Sequence, residues 1–194
     1  MIERMLILGL VGPSAVGKGY CKDVIKVTYP ESFCEPVIIT TRPRRLTDGV
    51  DRLAGVPLIE FNLMIQRGVV LFAHQPFGVG SDWYGFSRDS LDGNHNLLAE
   101  IHVDNVVAFK DRFGEQIKLI ALIAESEYLE SNIRNRGTES EVAIKARLDA
   151  AKDEVVKIKR LEDKGLIDYV IEVDDANRGD LAQIMIELTR KILE

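Results

Sequence analysis

The sequence predicts an α/β domain with a parallel sheet, interrupted by an inserted subdomain. Three observations carry this. Short apolar runs alternate with helical periodicities along the chain, as strand–crossover–strand units do. The segment Gly12-Pro13-Ser14-Ala15-Val16-Gly17-Lys18 fits G-x-x-x-x-G-K and stands between the first apolar run and the first helical stretch. From residue 42 to about residue 92 the alternation gives way to scattered glycines, prolines and aromatics.

Taken in order, residues 5–11 are apolar throughout, as a strand buried on both faces is. A helix follows the glycine loop over residues 18–27, and residues 37–41 read as a second strand. Within 42–92 only residues 60–67 have a helical pattern; the rest suits small strands and loops. Residues 96–103 and 116–124 are further apolar strands, with a helix over 104–113 between them. Ser126 is placed to cap a helix reaching about residue 134. A long charged helix covers residues 140–163, a last strand 168–173 and a last helix 179–193.

The chain has 194 residues, 46% of them hydrophobic and 29% charged, the balance of one globular domain with a substantial core. Its net charge of −6 disfavours a nucleic acid as main partner. Two cysteines, Cys21 and Cys34, make neither a disulfide framework nor a zinc site and suit a reducing compartment. The first apolar run is too short to span a membrane. A cytoplasmic protein with no membrane partner is expected; the sequence leaves its oligomeric state open.

The glycine loop has a direct physical use. Glycines let the backbone turn so that successive N–H groups point inward, where they and the following helix N-terminus bind phosphate oxygens. Lys18 adds a point charge that can follow a phosphoryl group in transfer. Gly19 stands where such loops usually place a Ser or Thr hydroxyl on magnesium. Tyr20 comes next, and its phenol is too long to replace a threonine simply; packing within the helix suits it better. Magnesium keeps several waters and is held largely through them and the phosphates, so Gly19 does not disable the loop.

A second motif, TTRPRRLTDGVD over residues 40–51, sets Arg42, Arg44 and Arg45 on a turn after a strand. The guanidinium fork suits bidentate phosphate binding. Taken alone, the turn could equally be a solvated basic loop.

Together with DWYG at 82–85, RGTESE at 136–141 and ARLDAA at 146–151, these stretches resemble the guanylate kinase family in order and spacing over nearly the whole chain. The resemblance implies a P-loop kinase core (1–41, 93–125 and 161–194), an acceptor-binding insert (42–92) and a helical lid (126–160). It implies ATP as phosphoryl donor, Mg2+ as cofactor and small-molecule nucleotide substrates. Gly12 to Tyr20 would hold ATP, with Lys18 catalytic. Arg42, Arg45 and Tyr84 match the acceptor-phosphate groups. Arg136 and Arg147 match lid arginines that neutralise the transferring phosphate. Glu100, at a strand end, would position the metal through water.

The base-facing positions depart from the family. Its guanine-reading glutamate falls near Phe72, with Gln75 or His74 as substitutes. A serine becomes Ile38, a tyrosine Arg52 and a hydroxyl residue Phe86. A strand-end carboxylate becomes His102, placed to orient the acceptor. Asn132 stands for one lid arginine, with Arg134 close by. A site built to hydrogen-bond guanine discriminates through those groups, so their loss points to altered acceptor reading. Phe72 and Phe86 offer a stacking surface, or simply pack the insert.

The expected function is ATP-dependent transfer of a γ-phosphoryl group to a phosphorylated small acceptor, GMP or dGMP first. The alternatives are a divergent nucleotide or sugar-phosphate kinase of the ribose bisphosphate type and a non-catalytic guanylate kinase-like binding module. Lys18 and its glycines argue against the last.

Overall fold

The computed structural model describes residues 5–46, 48–77, 80–135, 137 and 140–194. Strand β1 (Ile7–Val11) runs through the glycine loop into helix α1 (Lys18–Thr28). Next come β2 (Ile38–Thr40), β3 (Arg52–Ala54), α2 (Leu58–Gln66), β4 (Val70–His74), β5 (Tyr84–Ser87) and the single-turn α3 (Arg88–Leu91). The chain continues through β6 (Leu97–Glu100), α4 (Val106–Phe113), β7 (Ile117–Ile123), α5 (Ser126–Asn135), α6 (Glu141–Asp163), β8 (Tyr169–Glu172) and α7 (Leu181–Leu193).

The central sheet is parallel, in the order β6-β1-β7-β8. Ile7, Leu8, Leu10 and Val11 are fully buried, because helices cover both faces of β1. On one face Ile7 and Val11 pack with Phe109 of α4 and Ile158 of α6. On the other, Leu8 and Leu10 pack with Cys21 and Ile25 of α1 and with Leu181 and Met185 of α7. Each such side chain contributes about 1.5–3 kcal/mol on leaving water. The α/β class with a parallel sheet is therefore as the sequence predicts.

The second sheet is mixed, in the order β3-β2-β5-β4. Residues 37–41 do form a strand, but it pairs in this small sheet and not beside β1. Its register places Ile38 between Arg52 and Phe86, and Thr40 between Ala54 and Tyr84. Alternate residues face opposite ways. Ile39 thus turns to a separate small core with Val56, Phe61 of α2 and Val70. Ile38 turns towards the central domain.

The strand expected over 96–103 stops at Glu100. A 3-10 turn at Val103–Asn105 replaces its end, with His102 Nδ1 accepting the Asp104 N–H at 3.3 Å. Helix α6 begins at Ser140, whose hydroxyl accepts from the Ala143 N–H. It then packs along the 3-10 turn, with Lys157 Nζ 2.6 Å from Asp104 Oδ1. Among the described residues no helix is long and apolar enough to cross a membrane.

Candidate functional site

The glycine loop joins the buried end of β1 to α1. Gly12 has φ +148°, and a Cβ there would come within 2.3 Å of the Leu122 carbonyl oxygen. Gly17 has φ +115° as the residue before the first turn of α1. Both positions need glycine, for left-handed backbone and, at Gly12, for close approach to β7. The Lys18 ammonium curls back over the loop and donates to the Gly12 and Pro13 carbonyls at 2.6 and 2.9 Å.

Two clefts share this loop. An open groove of about 940 Å³ runs along Ser14 to Tyr20 and reaches Asn132, Asp175 and Arg178. Tyr20, half exposed, lines it. A smaller cavity of about 240 Å³ lies between the loop and the small sheet. Ser14, Lys18 and Glu100 line both, so the clefts meet at the loop and at the carboxyl end of β6. That is where ligands of open α/β sheets bind.

The small cavity gathers some of the expected acceptor residues and omits others. Tyr84, Glu100 and His102 line it, as do Ile38, Arg52 and Phe86, the three adjacent positions across the small sheet. Arg42 does not. Its guanidinium is buried, with Nη1 donating to the Pro43 carbonyl and Nη2 to Asp48 Oδ1, each at 2.7 Å. Asp48 also accepts the Arg45 backbone N–H, and Arg42 first, then that bond, hold its carboxyl down at about 2. The Arg45 side chain is exposed and away from the cavity.

Phe72 and Gln75 are likewise placed elsewhere. The β4–β5 register shifts between Leu71 and His74, and Phe72 has φ +54°. That irregularity turns its ring onto Phe109, at 3.9 Å between centroids, in the core beneath the cavity. Gln75 Nε2 donates to the Ser81 carbonyl at 2.6 Å, bracing its own loop. His74 takes the cavity position and stacks on His102 with centroids 4.6 Å apart.

His102 is mostly buried, and its Nε2 has no hydrogen-bond partner. Because Nδ1 accepts from Asp104, the proton of the neutral ring sits on Nε2 and faces the cavity region. Glu154 of α6 lines the same cavity, with Oε1 3.8 Å from that nitrogen. Burial, then the His74 ring, pushes His102 down to about 4. Burial pushes Glu154 up to about 7. Burial thus favours the neutral form of each group, so this contact is not a fixed ion pair.

Helices α5 and α6 reach over the loop. Arg147 of α6 donates from Nη1 to Ser14 Oγ at 2.9 Å, and its guanidinium lies 4.5 Å from the Phe77 ring centroid. Asn132 of α5 donates to the Ala15 carbonyl at 3.2 Å. Arg134 instead bonds Glu130 and Glu141 at the surface. Arg136 lies outside the described residues.

Among the described residues no three His, Cys, Asp or Glu side chains converge as metal ligands. Glu100 is the carboxylate at the junction of the clefts, partly exposed and 3.4 Å from Lys22 Nζ. That donor set would suit a Mg2+ ion held mainly by phosphates and water, with Glu100 as the carboxylate near it.

Sequence reasoning missed Glu154 and Phe77 and counted Arg52 only as a lost tyrosine. Glu154 reads as one more charge on a solvated helix. The signal for Arg52 is its pairing with Ile38, which no local pattern reveals.

No protein-family model matches the chain. The guanylate kinase of Streptococcus agalactiae is 28% identical over 200 aligned positions, covering all of this chain and 88% of that protein. The guanylate kinase of Streptococcus mutans is 29% identical over 168 positions, 84% of this chain and 78% of that one. The crystal structure of guanylate kinase from Anaplasma phagocytophilum superposes with a TM-score of 0.68 at 20% identity, covering 98% of this chain and 88% of that one, which establishes the shared fold. Over its whole length the chain is similar in sequence to guanylate kinases, and it shares their fold.

Proposed function

We propose that the protein is an ATP-dependent nucleoside monophosphate kinase that transfers the γ-phosphoryl group of ATP to a phosphorylated small acceptor, GMP or dGMP first. The observation that carries this is the meeting of two clefts at Ser14, Lys18 and Glu100. One substrate in each cleft brings its reacting group to the same loop, which is how such enzymes convert proximity into rate. ATP occupies the larger groove, its phosphates on the loop amides and Lys18. Glu100 would be the residue that holds a bound Mg2+, through water, and the ion would supply charge neutralisation at the phosphates. The acceptor occupies the smaller cavity beside Tyr84 and His102. Arg147, already on Ser14, and Arg136 supply positive charge to the transferring group. Lid closure over the loop keeps water from taking the phosphate.

A second reading of the acceptor rests on the Arg52–Ile38–Phe86 row. Apolar Ile38 and Phe86 stand where guanine contacts are expected, which favours a divergent nucleotide or a sugar phosphate. The test is ATP consumption with Mg2+ across nucleoside monophosphates and sugar phosphates, together with the melting temperature with and without MgATP. A ligand bound only by the native state raises that temperature. Turnover confined to GMP and dGMP supports the first reading, and turnover with another acceptor the second. No MgATP shift and no turnover would leave a non-catalytic binding module.

A further inference from the structure

We propose that Lys22 is a positioning residue for Glu100, and that the charge it places there sets how strongly the protein itself holds Mg2+. The identity of the ion rests on the kinase reading above. The placement of the side chains does not.

Lys22 lies one helical turn after Lys18, on the same side of α1. It lines neither cleft. Its side chain is only 17% exposed and its ammonium sits between two carboxylates. It donates to Glu35 Oε2 at 2.6 Å and lies 3.4 Å from Glu100 Oε1. A bridge from Cys34 to Leu97 holds Glu35 beside β6, the strand that ends in Glu100. Lys26, one turn further along α1, bonds the other oxygen of Glu35. Charges therefore alternate from the surface to the junction of the clefts: Lys26, Glu35, Lys22, Glu100. Burial alone would pull Lys22 down; Glu100 and Glu35 outweigh it and hold the ammonium above its ordinary 10.5. Lys22 thus keeps its charge at any working pH.

This pairing has a consequence at Glu100. Gly19 offers the ion no hydroxyl, and Glu100 is the carboxylate that both clefts share. A fixed ammonium beside a carboxylate offsets part of its attraction for a second cation, because the two positive charges repel. The same contact orients the carboxylate. Glu100 then contributes an aimed but weakened charge, and phosphates and water do most of the holding. Glu35 tunes the balance, since it competes with Glu100 for the one ammonium.

The test is calorimetric titration of the full-length chain with ADP at graded free Mg2+. The readout is the Mg2+ concentration at half of the ion-dependent gain in ADP affinity. Lys22→Met is expected to lower that midpoint about 3- to 10-fold, the scale of removing one like charge near the ion. Lys22→Arg keeps the charge and should stay near the parent. Glu35→Gln leaves the ammonium wholly to Glu100 and should raise the midpoint about 2- to 3-fold. Glu100→Gln should have a several-fold larger effect in the Lys22→Met background than in the parent, because the two residues act as a unit. A merely structural Lys22 would lower the melting temperature and leave every midpoint in place. An unchanged midpoint in Lys22→Met, or equal Glu100→Gln effects in both backgrounds, overturns the proposal. Should Lys22→Met not fold, the Glu35→Gln midpoint decides alone. ADP binding without ATP turnover sinks the kinase reading only, and no ADP binding by the parent sinks both.

Discussion

Arg147 Nη1 lies 2.9 Å from Ser14 Oγ, so a guanidinium of the long helix α6 bonds the glycine loop, beside Ile144, which packs on Ala15 of the same loop. The same group covers Phe77 of the cavity wall, at 4.5 Å from the ring centroid. One side chain thus joins α6 to the glycine loop and to the wall of the smaller cavity. Arg147→Ala is expected to lower kcat about 100-fold or more, the scale of losing a positive group from the transferring phosphate. MgATP should still raise the melting temperature, because the loop amides remain. Steady-state kinetics with thermal melts check this, and an unchanged kcat would remove Arg147 from the reaction.

Lys18 has two jobs. It bonds the Gly12 and Pro13 carbonyls, and it sits where both clefts meet. Lys18→Ala should cut turnover by about two orders of magnitude or more and shrink the MgATP melting shift. Lys18→Arg keeps the charge but not the compact fit over the carbonyls, and should rescue binding better than rate. Equal turnover in Lys18→Ala and the parent would refute the loop's role.

The loop was legible because its chemistry is contiguous: Gly12, Gly17 and Lys18 are close in sequence and need only a strand before and a helix after. The acceptor side was less so. Phe72 was expected in the pocket, but a register shift in β4 turns its ring to Phe109, and alternation cannot foresee a bulge. Arg42 and Arg52 are both arginines beside short strands. Which of them faces the cavity depends on the β2–β3 pairing and on Asp48. Glu154 needed the packing of α6 on the 3-10 turn to become a cavity residue.

Asp48 joins these elements, so Asp48→Asn should act on the insert rather than on the loop. It removes the carboxylate that Arg42 pairs with and weakens the acceptor for the Arg45 N–H. The melting temperature is expected to fall, and the KM for the acceptor to rise, while ADP affinity stays. The low carboxyl pKa, about 2, means its stabilisation is complete above the ordinary value of 3.8 and is lost as pH falls through about 2. The parent should therefore lose this contribution below pH 4, and Asp48→Asn should not. Identical acid-melting curves would contradict the assignment.

His102 and Glu154 should make opposing contributions to stability against pH. Glu154, raised from 4.5 to about 7, stabilises fully below 4.5 and loses this as pH rises through 7. His102, lowered from 6.5 to about 4, stabilises above 6.5 and loses this as pH falls through 4. Between pH 4.5 and 6.5 the two slopes, each about 1.4 kcal/mol per pH unit at most, cancel. Glu154→Gln should unmask stability that rises from pH 4 to 6.5. His102→Asn should unmask stability that falls from pH 4.5 to 7. Urea midpoints across this range test both, and variant curves parallel to the parent's would rule the pair out.

Tyr20 stands on the donor side just after the position where such loops place a hydroxyl on magnesium. Its side chain is 51% exposed and lines the larger groove, one residue after Gly19. If the phenol were a ligand, Tyr20→Phe would raise the Mg2+ requirement sharply. A phenol this exposed is instead a wall of the groove, so Tyr20→Phe should change kcat and the Mg2+ midpoint by no more than about twofold. Tyr20→Thr places a short hydroxyl beside the loop, where it can reach a metal-bound water. It should lower the Mg2+ midpoint while leaving acceptor KM alone. Activity measured against free Mg2+ separates the cases: a large Tyr20→Phe effect with none from Tyr20→Thr would make the phenol itself part of the metal site.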